Sequence, residues 1–359
     1  MESRKCLHFA SEIIIMHTRQ RLQNNYDFLR VFAALCITFF HSFALLDQLK
    51  LEPLFLFTKG RINFSFIGLN IFFCISGYLI AKSVTTSPTL LNYLWKRLLR
   101  IQPLLIFTCL LTVFLLGPIF TDLTIPDFFL NSKTWTYFRN VFPALGIQFS
   151  LPGVFLKNIG ESGVNGSLWT LIVEERLYLL MSFLFLFKKQ NSWYITFYVL
   201  FINVIYLYNH FSYSGEMIPL MDTNAFYYSL VFLNSALLFI LKIDLAKFLY
   251  PIILLSSMVT ILGIIFQNSD FLFLFSFPFL INGIAQIKGI TNHSGMYGDF
   301  TYGIYVFSFP VQQMLISKGI AISHPYLLFI ISSAIVIPMA IASWHLLEKK
   351  FLRMKKAVK

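Results

Sequence analysis

The sequence is poor in charged residues, and poorest in acidic ones. Only 12% of its 359 residues are charged, and 28 basic residues outnumber 16 acidic residues. A soluble domain of this length would carry more charge on its surface, so this scarcity argues against a soluble protein. Instead, 57% of the residues are hydrophobic and the mean hydropathy is +0.71. The composition therefore predicts a membrane protein.

Several other signals are missing. The four cysteines (Cys6, Cys36, Cys74 and Cys109) lack the spacing of a metal site, and we interpret them as packing residues. The apolar patch at 13–15 is too short for the core of a signal peptide, and no small-residue cleavage site follows it. The long apolar runs do not alternate with polar residues, which argues against a β-barrel.

The predicted fold class is all-α, a polytopic membrane protein with about ten transmembrane helices. Lys and Arg concentrate in the segments that would face inwards if the N-terminus is inside, so both termini are predicted to be cytoplasmic. The net charge of +12 then reports topology and not nucleic-acid binding. An extra re-entrant helix is predicted at about 137–151. The ten predicted spans are 28–47, 64–82, 103–120, 168–187, 193–209, 225–241, 249–266, 271–287, 300–318 and 326–347.

Three regions follow from these spans. Residues 1–25 are expected to form a cytoplasmic N-terminal extension, within which Met16 is an alternative start. Residues 26–352 would form the membrane domain, and residues 353–359 a basic cytoplasmic tail. Nothing in the sequence indicates an oligomeric state.

The first span carries a cation and an imidazole on one face. Arg30 and His41 are eleven residues apart, which is about three helical turns, or about 16 Å along the axis. Charged groups inside a membrane are costly, and they commonly mark functional sites. We therefore predict that His41 faces protein or water, whereas the alternative is a buried polar residue that ties helices together.

The fourth span carries a carboxylate near its outer end. Gly166, Asn165 and Ser167 are predicted to cap this helix, and Glu174 falls in its second turn. Counting 1.5 Å per residue from opposite surfaces places His41 and Glu174 at similar depths. They would then form either a base with its orienting partner or a structural salt bridge.

A basic cluster precedes the third span. Arg97 and Arg100 are three residues apart, so both lie on one helix face. Two neighbouring guanidinium groups suit the binding of phosphates. Contact with lipid headgroups is the alternative interpretation.

Two further stretches carry polar or small groups within apolar spans. Asn70, Ser76 and Gly77 in the second span indicate close helix packing. Pro310 is expected to kink the ninth span, which would either line a cavity or serve packing alone.

The chain resembles acyltransferase family three, a family of integral membrane proteins, from Tyr26 to about Phe351. Six short motifs occur in the order typical of that family, although each is weak alone. The family pattern often has a His where this chain has Ser308, so we assign Ser308 no catalytic role. The motifs are Asp27-Phe28-Leu29-Arg30 with His41, Phe72-Phe73 to Ser76-Gly77, Arg97 and Arg100 before Pro103, residues 164–171 with Glu174, Thr301-Tyr302-Gly303-Ile304-Tyr305, and Glu348.

The resemblance implies an O-acetyltransferase of the bacterial inner membrane. Such an enzyme would move an acyl group, usually acetyl from cytoplasmic acetyl-CoA, to a hydroxyl of a glycan or lipid-linked sugar, for example lipopolysaccharide O-antigen, exopolysaccharide or peptidoglycan. The sequence leaves a larger acyl group open. No metal is expected. Arg97 and Arg100 would bind the donor phosphates.

Our mechanistic hypothesis assigns three catalytic residues. His41 removes the proton from the sugar hydroxyl, Glu174 orients the imidazole or stabilises the imidazolium, and Arg30 stabilises the donor or the developing charge. Direct transfer and a transient acyl-enzyme both remain open. The candidate substrate-binding residues are Asn165, Trp169 and Tyr302.

A proton-coupled membrane transporter of a small solute or lipid-linked sugar is the alternative function. Intramembrane His41 and Glu174 suit proton transfer in such a carrier. The chain lacks matching half-chain repeats and broken helices, which counts against a transporter.

Overall fold

The structure is a computed structural model that carries all side chains. It describes residues 24–160, 163–187, 193–211, 224–266, 271–289, 291, 294, 295 and 298–356. All but the last two residues of the predicted extension at 1–25 therefore lie outside the described residues, as do residues 357–359 of the predicted tail.

The described part of the chain is all-helical, and it contains no β-strand. A major helix lies at each of the ten predicted positions. These helices are α1 Tyr26–Ala44, α2 Phe64–Thr86, α3 Leu90–Leu111, α4 Trp169–Ser182, α5 Trp193–Phe211, α6 Asn224–Ile240, α7 Leu249–Ile265, α8 Phe271–Ile284, α9 Thr301–Ser317 and α10 Pro325–Ser343.

Two of these helices continue without a break. A π-turn and a short helix extend α3 to Phe120, and a π-turn and a short helix extend α10 to Arg353. Among the described residues, four helices are long and apolar enough to span a membrane: α1, α2, extended α3 and extended α10. Four further apolar helical stretches are shorter: Trp193–Tyr208 within α5, and helices α6, α7 and α8. The ten crossings and the cytoplasmic termini stay predictions.

The third helix begins 13 residues earlier than predicted, at Leu90. The Thr89 side chain accepts a hydrogen bond from the Asn92 N–H and caps the helix start. Pro103 therefore lies inside the helix and does not begin it. As a consequence, Arg97 and Arg100 belong to α3 and share its inward face.

The core forms where α2 packs between α1 and α6. A Cβ added to Gly77 would lie 2.1 Å from the Phe232 carbonyl oxygen, so only glycine permits this approach of α2 to α6. The close packing predicted for the second span is therefore confirmed. The buried thiols of Cys36, Cys74 and Cys109 are free and serve packing, as predicted.

The predicted re-entrant helix at 137–151 is wrong as a helix. The structure has two 3-10 turns there, Tyr137–Val141 and Pro143–Leu145, followed by irregular chain. Pro143 lacks a backbone N–H, and Gly146 has a φ of 114°, so a regular helix cannot continue through them.

The described residues of this region, 121–160 and 163–165, nevertheless fold back along extended α3. Ala144 and Gln102 both hydrogen-bond Glu175, which brings the tip of this segment to the level of Gln102. Gln102 lies 18 residues before Phe120, about 27 Å along the helix. We call residues 121–165 the re-entrant segment.

Candidate active site

A cavity of about 240 Å³ lies between α1, α2, α3, α4 and α9. Its wall combines four basic side chains and two acidic ones with apolar and aromatic groups. Lys355 and Leu352, which follow α10, also line the cavity, so the predicted tail contributes to it. The polar lining residues are Arg30, Ser76, Arg97, Arg100, Thr170, Glu174, Tyr178, Asp299, Thr301, Tyr302, Tyr305 and Lys355.

An ion-pair cluster lies at one side of the cavity. Asp299 Oδ2 is 2.7 Å from Arg100 Nη2 and 3.5 Å from Arg30 Nη1. The Asp299 side chain is only 3% exposed, and each Arg side chain about a fifth exposed. Because a buried carboxylate needs a cationic partner, Asp299 fixes both guanidinium groups beside the cavity.

Arg97 is held more loosely than Arg100. Its Nη2 donates a long hydrogen bond of 3.5 Å to Ser83 Oγ, and its guanidinium lies 5.6 Å from the centre of the Tyr178 ring. Its Nε is buried without a hydrogen-bond partner. Arg97 therefore presents an unused donor at a cavity that already concentrates positive charge.

Glu174 projects into the same cavity from α4. Its Oε1 accepts hydrogen bonds from Ser76 Oγ, at 3.3 Å, and from the Tyr178 hydroxyl. This pair of donors explains how a carboxylate is retained in an apolar helix.

His41 lies beyond one end of this cavity. Its Nε2 is 3.4 Å from Ser167 Oγ, and its ring packs edge-on against Phe309, with centroids 5.0 Å apart. His41 is half-buried, whereas Ser167 is only 2% exposed.

A thin polar layer separates His41 from the cavity. The Tyr305 hydroxyl donates a hydrogen bond of 2.6 Å to the Ser167 carbonyl oxygen and also contacts Thr170 Oγ1. Thr170 and Tyr305 line the cavity, and Ser167 contacts His41 on the other side. The imidazole is therefore about one side chain away from the cavity.

The predicted pairing of His41 with Glu174 is wrong in its geometry. The structure places Ser167, and not Glu174, beside the imidazole. Glu174 lies seven residues further along α4, about 10 Å from Ser167 at the helical rise. The physical reason is that the 3-10 turn Gly166–Leu168, and not the second turn of α4, lies level with His41.

The structure brings Arg30, Arg97, Arg100, Glu174 and Tyr302 together around the cavity. The hydroxyl of Tyr302 donates to the Ile101 carbonyl oxygen at 3.2 Å.

Asn165 and Trp169, the other two candidate substrate-binding residues, pack against the protein core and do not line the cavity. Asn165 is 1% exposed and caps the 3-10 turn by accepting from the Ser167 N–H, while its Nδ2 donates to the Val306 carbonyl oxygen. Trp169 packs against the core beside Tyr228.

The sequence reasoning missed Asp299 and Ser167 as members of the site. An acidic residue in an otherwise basic inner segment was the signal available for Asp299. For Ser167, the signal was a hydroxyl at the start of the helix that carries Glu174, but we interpreted it as a cap.

Glu175 and Arg176, two further charged residues of α4, hold the re-entrant segment. The Ala144 N–H donates to Glu175 Oε2 at 2.8 Å, and Gln102 Nε2 donates to Glu175 Oε1 at 2.6 Å. Arg176 donates to the Ala144 carbonyl oxygen at 3.4 Å through both Nε and Nη2. Glu175 and Arg176 thus satisfy backbone groups that lack helical partners.

We expect Glu175→Ala to loosen the re-entrant segment. The substitution leaves the Ala144 N–H and the Gln102 amide without their acceptor, at a cost of about 1–3 kcal/mol for each buried group. Hydrogen–deuterium exchange of the peptide covering 137–151 should become faster. Glu175→Gln keeps one acceptor oxygen and should give an intermediate rate, whereas unchanged exchange in Glu175→Ala would show that Glu175 does not hold the segment.

Comparison with known proteins gives concordant matches. A family profile described as an acyltransferase domain matches residues 23–345. The chain is 27% identical over 340 residues to an O-acetyl transferase of Shigella phage Sf6, covering 92% of this chain and 96% of the phage protein. No solved structure matches the chain.

Two further relatives match over shorter regions. Nodulation protein 10 of Rhizobium leguminosarum bv. viciae is 31% identical over 173 residues, which is 45% of this chain and 44% of that protein. The peptidoglycan O-acetyltransferase OatA of Listeria monocytogenes serovar 1/2a is 31% identical over 163 residues, 40% of this chain and 24% of that protein.

Proposed function

The chain belongs to the acyltransferase-domain family and is a membrane O-acetyltransferase, and from this premise we propose that its donor is acetyl-CoA and its acceptor a sugar hydroxyl of a bacterial surface polysaccharide, such as O-antigen. The name of the Listeria relative, a peptidoglycan O-acetyltransferase, supports a carbohydrate acceptor. The single observation that carries the donor assignment is the cationic cavity beside His41.

The charge of the cavity suits a donor that carries several phosphates. Four basic side chains line it against two acidic ones, and one of those, Asp299, is already shared by Arg30 and Arg100. Arg97 adds a donor without a partner at its Nε. A guanidinium group binds phosphate oxygens through paired hydrogen bonds, so Arg97 and Arg100 are the proposed phosphate ligands.

The apolar wall of the cavity suits the thioester arm. Leu69, Phe72, Phe73 and Leu171 line the cavity, and Phe72 packs against Tyr305. An arm that follows this wall would bring the acetyl group towards Ser167 and His41. Glu174, fixed by Ser76 and Tyr178, would position the arm partway along this wall.

His41 is the proposed general base. Its half-buried imidazole is accessible, and its Nε2 already contacts a hydroxyl, that of Ser167. A sugar hydroxyl within hydrogen-bonding distance of this ring would transfer its proton to it as the new ester bond forms.

The predicted topology would give each substrate its own side of the membrane. If the basic segments face the cytoplasm, Arg97, Arg100 and Lys355 lie at the inner side, where acetyl-CoA is made. His41 then lies in the outer half, towards the polysaccharide. The proposed location is the bacterial inner membrane.

Purified protein in lipid nanodiscs tests this proposal directly. Acetyl-CoA carrying a radiolabelled acetyl group is mixed with isolated O-antigen, and base-labile label on the polysaccharide is counted. We expect label only with the protein, and none when the label is on the adenine of CoA. Absence of labelled ester with O-antigen, with other surface polysaccharides and with peptidoglycan would overturn the proposal.

A further inference from the structure

Ser167 has a contact that sets it apart from the other serines of the helices. Ser42, Ser256 and Ser308 each donate to a carbonyl oxygen of their own helix, three or four residues earlier. Ser167 Oγ instead contacts the imidazole Nε2 of His41 at 3.4 Å. A hydroxyl beside an imidazole is the arrangement that activates a serine as a nucleophile.

The backbone of Ser167 is fixed on both sides of this contact. The Asn165 side chain accepts from the Ser167 N–H at 3.2 Å, and the Tyr305 hydroxyl donates to the Ser167 carbonyl oxygen at 2.6 Å. These partners come from different parts of the chain, the re-entrant segment and α9. They hold the backbone of Ser167 in place beside His41, and a reacting group requires such positioning.

Ser167 also lies close to the cavity, one helical turn before residues that line it. Thr170, Leu171 and Glu174 follow it at helical spacing on the same face of α4, and all three line the cavity. Ser167 precedes α4, and the positive end of a helix dipole favours the negative charge that develops in a tetrahedral intermediate.

We propose that Ser167 is the nucleophile that carries the acetyl group between the two substrates. This inference rests on the proposed function and deepens it, because it separates acetyl transfer into two steps. It also gives His41 a role in each step.

In the first step, His41 Nε2 takes the proton from Ser167 Oγ as Oγ attacks the thioester carbonyl carbon. The C–S bond breaks, an acetyl ester forms on Ser167, and the imidazolium returns the proton to the CoA thiolate. CoA leaves as the free thiol.

In the second step, His41 takes the proton from the sugar hydroxyl as its oxygen attacks the carbonyl carbon of acetyl-Ser167. The ester bond to Ser167 breaks, the sugar ester forms, and the proton returns to Ser167 Oγ. The large donor and the large acceptor then need not occupy the site at the same time, because Ser167 reacts first with the donor and then, as its acetyl ester, with the acceptor.

Trapping the acetylated protein tests the proposal. The full chain in nanodiscs is incubated with labelled acetyl-CoA without polysaccharide, quenched in acid, digested and analysed by mass spectrometry. We expect one acetyl group on the peptide that contains Ser167. Ser167→Ala should lose both this label and transfer to polysaccharide, the latter by about 10³-fold or more. Ser256→Ala, a serine far from the cavity, should keep both.

If Ser167→Ala does not fold, Ser167→Cys tests whether residue 167 carries the acetyl group. A cysteine at 167 should carry the acetyl group as a thioester that neutral hydroxylamine removes, whereas the ester on Ser167 resists this treatment. Transfer to polysaccharide without label at 167, in either the native protein or Ser167→Cys, would overturn the inference and leave the proposed function standing. Failure of the native protein to acetylate any polysaccharide would instead overturn the proposed function.

Discussion

His41→Ala should abolish acetyl transfer while the protein still inserts and folds. The imidazole of His41 lies beside Ser167 Oγ, and removing a general base commonly lowers a rate by about 10²–10⁴-fold. Because the proposed mechanism uses His41 in both steps, acetylation of Ser167 and acetylation of the polysaccharide should fall together. The nanodisc assay with labelled acetyl-CoA measures both.

His345→Ala is the matched control for this substitution. His345 lies on the exposed face of the π-turn Trp344–Glu348 and does not line the cavity. The His345→Ala substitution should leave acetyl transfer unchanged. Near-normal transfer by His41→Ala would remove His41 from the chemistry, whatever the control shows.

Arg97→Ala should weaken acetyl-CoA binding with little change in stability. A charge-assisted hydrogen bond contributes about 1.5–3 kcal/mol, so the Kd for acetyl-CoA should rise roughly 10-fold to 100-fold. Among the described residues, the partners of Arg97 are a long hydrogen bond to Ser83 and the ring of Tyr178, so the thermal unfolding temperature should change little. Calorimetric titration with acetyl-CoA and a thermal melt of the same sample measure the two effects.

Arg100→Ala should differ from Arg97→Ala in its effect on stability. It removes the partner closest to the buried Asp299 carboxylate, and breaking a buried ion pair costs up to about 3–5 kcal/mol. Arg30 at 3.5 Å compensates in part. We therefore expect both weaker donor binding and a lower unfolding temperature.

Arg353→Ala separates donor binding from contact with lipid headgroups. Arg353 is an exposed cation after α10 that does not line the cavity. If Arg97 binds the donor, Arg353→Ala keeps donor affinity and Arg97→Ala does not. Equal donor affinity in Arg97→Ala and the native protein would favour the headgroup interpretation.

The positions of the helices and one face of the cavity were predictable because they depend on local pattern. Apolar runs predicted a helix at each of ten places, and the three-residue spacing of Arg97 and Arg100 predicted their shared face. The cap formed by Asn165 was predictable for the same reason. Each of these features involves residues close together in the chain.

The remaining features depend on contacts between distant parts of the chain. Asp299 forms an ion pair with Arg100, which lies 199 residues earlier in the chain, and no local pattern indicates that pairing. The depth of Ser167 depends on how far the re-entrant segment enters the fold, so counting from a membrane surface paired His41 with Glu174 instead. In the re-entrant segment itself, the apolar pattern favoured a helix, and Pro143 with Gly146 prevented it.

The most direct test of the central claim is an NMR spectrum of the surface polysaccharide from three strains. One strain lacks the gene, one carries it, and one carries His41→Ala at the same protein level. The account predicts O-acetyl signals, with the accompanying shift at the modified sugar position, only in the strain with the intact gene. O-acetyl signals of equal intensity with His41→Ala would contradict the assigned site, and identical spectra in all three strains would contradict the proposed acceptor.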